Sequence, residues 1–224
     1  MTLKLYIGNK VYSSWSMRGW LAVRQSGLPF EEHVVPLYGE EWDGQRIAPE
    51  FAPSNGKVPI LWDGDSPVWE SLAIIDYLAD KVGRDRFWPA DDAARALARS
   101  MASEMHAGYQ ALRNACTMNM RHVYPPEPLA PDVADNVQRI TSLWDQARER
   151  FGNGGPYLFG AFGAVDIMFA PIVTRFRTYS IPIPAAAQDY CAAIWAHPFV
   201  TEWSAGAAGE HWVIDKFERA AERA

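Results

Sequence analysis

Two short segments set hydroxyls at the head of helical patterns, where they can meet an anion. Tyr12-Ser13-Ser14-Trp15-Ser16-Met17-Arg18 precedes one apolar helical repeat, and Glu70-Ser71 precedes another. A serine at a helix start can accept from an orphan first-turn amide. The other first-turn amides and the positive end of the helix dipole make the same place favourable for negative charge. Each serine therefore has two uses, as a plain cap or as a contact to a bound anion. For Ser13 and Ser14 one of each is expected, and the sequence does not say which is which. Tyr12, beside them, is a secondary donor, while Tyr6 is expected to pack in the sheet. Val58-Pro59 heads an apolar run, where proline either opens a strand or marks a special turn. The five histidines share no metal-ligand spacing, and no metal is expected. Cys116 and Cys191 form no CxxC pair, so they read as reduced thiols rather than a disulfide framework.

The elements around these residues follow from periodicity. Residues 3–7 read as a buried strand and 14–25 as a helix, with Gly27 at its C-cap position. Residues 31–37 read as a second strand whose Pro36 suits an edge or an end. Residues 38–52 are mixed and polar, a loop with a short helix. Residues 58–62 and 66–69 make a hairpin around Asp63-Gly64-Asp65, and a helix runs from Glu70 to Gly83. After that the pattern is helical throughout. Helices are expected over 93–121, 132–151, 165–178, 184–195 and 198–205. The expected division is a mixed α/β domain over 1–83, a linker over 84–90 and an all-helical domain over 91–224.

Composition sets the class of partner. A net charge of −6, with no long basic run, argues against nucleic acid. No stretch reaches membrane-spanning length without charges, and the apolar N-terminus is too short for a signal core, so a cytoplasmic protein is expected. Ten Trp, nine Tyr and ten Phe supply apolar area enough for two cores.

Lys57-Val58-Pro59, Glu70-Ser71, the Ser13-Ser14 segment and Gly160-Ala161-Phe162-Gly163-Ala164-Val165-Asp166 together resemble the cytosolic glutathione transferase superfamily. The likeness covers essentially the whole chain and is closest over residues 3–83. It is of the serine type, with an N-terminal segment similar to the zeta-like S-S-C-x-x-R pattern. Trp15 stands where that pattern has its cysteine. The resemblance implies a thioredoxin-like N-terminal domain followed by a helical one. It also implies a cis bond at Pro59, beside which Val58 pairs with the cysteinyl backbone of glutathione. Glu70 would face the ammonium of the γ-glutamyl end and Ser71 its carboxylate, with Trp15 and Lys57 in the same site. The Gly163–Asp166 segment is implied to start a buried helix.

Ser13 or Ser14 would donate to the sulfur. A free thiol titrates near ~8.5, and two units of depression correspond to roughly 2.7 kcal/mol. One charge-assisted hydrogen bond plus a helix N-terminus supplies about that much. The second substrate, a small electrophile, would lie between Trp15, Tyr38 and Trp42 and a helical face carrying Met101, Met105 and Tyr109, with Tyr12 nearby. That stripe also suits a core, and Arg175 and Arg177 read either as surface residues or as receivers of an anionic substrate. A homodimer is implied. Two other activities share the scaffold: a glutathione-dependent cis-trans isomerase of the maleylacetoacetate isomerase type, and a non-catalytic ligand-binding protein.

Overall fold

The alternation Leu3-Lys4-Leu5-Tyr6-Ile7 forms the first strand of a computed structural model that describes residues 2–219. In this strand, β1 (Leu3–Gly8), Leu3, Leu5 and Ile7 are buried. Helix α1 (Ser14–Ser26) crosses to β2 (Phe30–Val35), which pairs with β1 in parallel from Leu3 opposite Phe30 to Gly8 opposite Val35. Gly27 ends α1 with φ 72°, its N–H donating to the Arg24 carbonyl. After the short α2 (Glu40–Gln45), β3 (Ile60–Asp63) runs antiparallel to β1, and β4 (Ser66–Trp69) antiparallel to β3. The sheet order is β2-β1-β3-β4. Pro36 lies just past β2, an edge strand, so no ladder bond is lost. Gly64 turns the β3–β4 hairpin with φ 59°. Helix α3 (Ser71–Val82) closes a thioredoxin-like unit.

From there the described elements are helical, apart from two isolated bridges within residues 157–161. They are α4 (Asp92–Ala107), α5 (Gln110–Ala115), α6 (Pro131–Phe151), α7 (Ala164–Thr178), α8 (Ala185–Ala196) and α9 (Pro198–Ala208). The single helix expected over 93–121 is thus two. The break falls at Gly108 and Tyr109: Tyr109 takes φ 61°, and its hydroxyl donates to Glu104 Oε1 at 2.8 Å. Residues 220–224 of the expected helical domain lie outside the described residues.

Helix α7 is covered on nearly every side, with only Arg177 of its residues exposed. Gly163 before it has no side chain to cap with. Asp166 reaches back instead, accepting from the Gly163 N–H at 2.9 Å, from the Leu158 N–H at 3.2 Å and from the Tyr190 hydroxyl at 3.0 Å. Around α7 one apolar core runs without interruption from β1 and α1 to α6, α8 and α9. Arg18 of α1 crosses that boundary, its Nε donating to the Met168 carbonyl at 3.0 Å.

Candidate active site between the sheet and the helices

A cavity of ≈ 730 Å³ opens where the N-termini of α1 and α3 face α4 and α5. Ser13, Ser14 and Trp15 form its floor. Ser13 is the N-cap of α1: its Oγ accepts from the Ser16 N–H at 3.3 Å and donates to Ser16 Oγ at 2.8 Å. Ser16 Oγ also accepts from the Gly8 N–H at 2.9 Å, so the Ser13 proton is used within the protein. Ser14, the first residue of α1, accepts from Arg175 Nη2 at 3.3 Å and donates to no described residue. Ser13 is thus the cap, and the Ser14 proton has no acceptor among the described residues.

One wall is the loop through Lys57, Val58 and Pro59. The Val58–Pro59 bond is cis, and the sheet ladder begins only at Ile60. Gly19 lets α1 press onto this loop, since a Cβ there would come within 2.8 Å of the Pro59 ring. Beyond the loop, Glu70 holds φ 69°, a conformation that costs a non-glycine residue about 1–3 kcal/mol. This strained backbone directs the Glu70 carboxylate to the cavity margin, 3.7 Å from His106 Nε2. Ser71 does not cap α3. Its hydroxyl is fully buried with no hydrogen-bond partner among the described residues. A buried hydroxyl without a partner costs about 1–3 kcal/mol, and Ser71, unlike Glu70, is not on the cavity lining.

The opposite wall differs from the sequence expectation. Met101, Met105 and Tyr109 point into the helical core and are at most 7% exposed. The cavity is faced instead by His106, Gln110 and Arg113, one position along the same helices. Tyr38 and Trp42 line it from the sheet side, and Phe217 closes one edge, its ring tilted against Tyr12 and edge-on to Tyr38. Tyr12 lines the cavity, but its hydroxyl is committed. It donates to the Glu218 carboxylate and accepts from Arg121 Nη1 at 2.9 Å. Burial and Glu218 push its pKa up to about 12.

Three arginines lie near the floor, two of them against Trp15. The Arg18 and Arg113 guanidiniums lie 5.0 and 4.6 Å from its ring centroid, and Arg175 sits beneath Ser14. None pairs with a carboxylate among the described residues. Burial and mutual repulsion lower the pKa of Arg18, and burial and Arg113 bring Arg175 down to about 10. The floor thus carries positive charge that the protein leaves uncompensated, beside a helix N-terminus. Arg177 lies on the surface against Trp195. Among the described residues no cluster of His, Cys, Asp or Glu could hold a metal ion.

Arg113, His106 and Phe217 escaped the sequence reading. Arg175, read from the sequence as a surface residue or a receiver of an anionic substrate, is instead buried at the cavity floor, one of three charges in α7 with Asp166 and Arg177.

Residues 12–81 match the family model described as "Glutathione S-transferase, N-terminal domain". A zeta-class glutathione S-transferase of Euphorbia esula is 33% identical over 192 residues, 81% of each chain. Glutathione S-transferase theta-1 of Homo sapiens is 32% identical over 169 residues, 71% of this chain and 67% of the relative. A glutathione transferase homolog from Burkholderia gl BGR1, solved with bound glutathione, superposes with a TM-score of 0.68 at 22% identity, covering 94% of this chain and 100% of the other. That likeness is one of fold, whereas the sequence relatives reach further, and with them the chain belongs to the glutathione S-transferase family.

Proposed function

We propose that this glutathione S-transferase lays the tripeptide along Val58 and activates its thiol at Ser14. The observation that carries the reading is the division of labour between the two serines. Ser13 is bound up in the cap of α1, whereas Ser14 has a proton to give at the same helix N-terminus. The γ-glutamyl ammonium would meet Glu70, and its carboxylate the Ser71 hydroxyl and the first-turn amides of α3. Val58 offers its backbone to the cysteinyl residue, and Lys57 stands on the same wall. The sulfur then reaches the floor beside Trp15. There the Ser14 hydroxyl, the α1 dipole and the arginines stabilise the thiolate over the thiol, and the proton leaves to solvent. The thiolate forms a C–S bond to an electrophilic carbon of a small molecule held near Tyr38, Trp42 and Arg113, and the group on that carbon, such as chloride, leaves with the bonding pair to solvent. No metal takes part in this reading. A homodimer working in the cytoplasm, on electrophiles to be detoxified, completes it.

Conjugation of a chlorodinitrobenzene tests the assignment. Ser14→Ala is expected to lower kcat/KM about tenfold or more near neutral pH and to move the pH profile up by about one unit. Ser13→Ala costs stability but leaves the profile in place. A Ser14→Ala enzyme with an unchanged rate and profile would refute it. Glutathione-dependent isomerisation is the second reading, favoured by the likeness to the zeta-class relative. It returns glutathione unconsumed, so the product mass separates the two.

A further inference from the structure

Arg175 is 5% exposed, and the helix around it is apolar. Its Nε donates to the Cys116 carbonyl at 2.8 Å and its Nη1 to the Pro171 carbonyl at 3.0 Å. These two bonds clamp the guanidinium between α7 and the end of α5, and its remaining arm is aimed at Ser14 Oγ. Burying a charge without a carboxylate partner costs several kcal/mol, and a methionine would fill the same space. Two carbonyls offset part of that cost but explain neither the third arm nor its direction.

A hydroxyl has one proton and two lone pairs. When a charged N–H occupies a lone pair, the proton is turned to another side, and the O–H becomes a stronger donor. We propose that Arg175 is a positioning residue for thiol activation: it holds the Ser14 oxygen as an acceptor and so directs the Ser14 proton into the cavity at the sulfur of bound glutathione. The inference rests on the function proposed above and adds a reason why Ser14, not Ser13, serves. Other charged groups line the same space: Arg113 of α5, His106 of α4, Glu70 and Lys57, with Arg18 of α1 buried behind Trp15. None of them hydrogen-bonds Ser14. They set the field, and Arg175 alone sets the direction of the hydroxyl.

The ultraviolet absorbance of the thiolate, followed against pH in the saturated glutathione complex, tests this. Arg175→Gln is expected to raise the bound thiol's pKa by about one unit, roughly tenfold less thiolate at a pH below both values. Ser14→Ala should raise it at least as far. The double variant should go no further than Ser14→Ala alone, because the arginine acts through the serine. An unchanged titration in Arg175→Gln, or a shift that adds in full on the Ser14→Ala background, overturns the inference. Glutathione binding is measured beforehand by calorimetry on the unmutated protein, where a failure to bind would sink the functional reading instead. Should Arg175→Gln not fold, a structure of the unmutated protein with glutathione decides. The proposal expects Ser14 Oγ within hydrogen-bond distance of both the sulfur and Arg175 Nη2. Ser14 turned away from Arg175, or the sulfur on Ser13, overturns it.

Discussion

Ser13 and Ser14 are adjacent, equally buried at 7% exposure, and chemically identical. What separates them is what already holds each oxygen. The same accounting removes Tyr12, whose hydroxyl lies between Glu218 and Arg121 and is raised to about 12. Tyr12→Phe should therefore leave the pH profile of conjugation within a few tenths of a unit. It should also lower stability by about 1–2 kcal/mol in urea titration, since Glu218 and Arg121 lose a partner. A profile displaced as far as that of Ser14→Ala would return Tyr12 to the role of thiol donor. The motif residues were legible at this scale because each sits at a fixed offset from a strand or helix start. Arg175 read only as a surface residue or an anion receiver, because its partner Ser14 lies 161 positions away and only folding brings them together.

Elements turn these residues toward one another, and most were readable from periodicity. The hairpin of β3 and β4 pairs Trp69 with Ile60 and so brings Glu70 and the Val58–Pro59 loop to the same end of the sheet, and Gly27 stops α1 where a C-cap glycine was expected. The failure is instructive. The Ala- and Met-rich pattern continues past Gly108, so periodicity alone runs one helix through it. Tyr109 ends it by adopting φ 61° and bonding back to Glu104. The break moves the wall of the cavity from the Met101–Met105 stripe to His106, Gln110 and Arg113. Helix α7 depends most on one carboxylate. Asp166 holds three donors in a site where burial raises its pKa to about 6. Asp166→Ala leaves those donors orphaned and is expected to cost about 3 kcal/mol or more, read as a lower urea midpoint. A loss below about 1 kcal/mol would show that water replaces the carboxylate.

At the scale of the molecule, the sheet half and the helical half share one core, and the cavity lies on their seam. Arg18, Trp20 and Met17 of α1 are buried in that common core or tied to α7. Unfolding should accordingly be a single transition, with tryptophan fluorescence and far-ultraviolet circular dichroism giving coincident denaturant curves. A plateau between them would mean that the halves melt separately. On the proposed reading, the strained Glu70 and the unpartnered Ser71 hydroxyl at the start of α3 would receive a tripeptide's amino-acid end. Calorimetric titration with glutathione addresses this directly. The unmutated protein should bind one tripeptide per chain, and Glu70→Ala should weaken binding about tenfold, or roughly 1.4 kcal/mol. Absence of binding heat, or equal affinity in Glu70→Ala, would contradict the account.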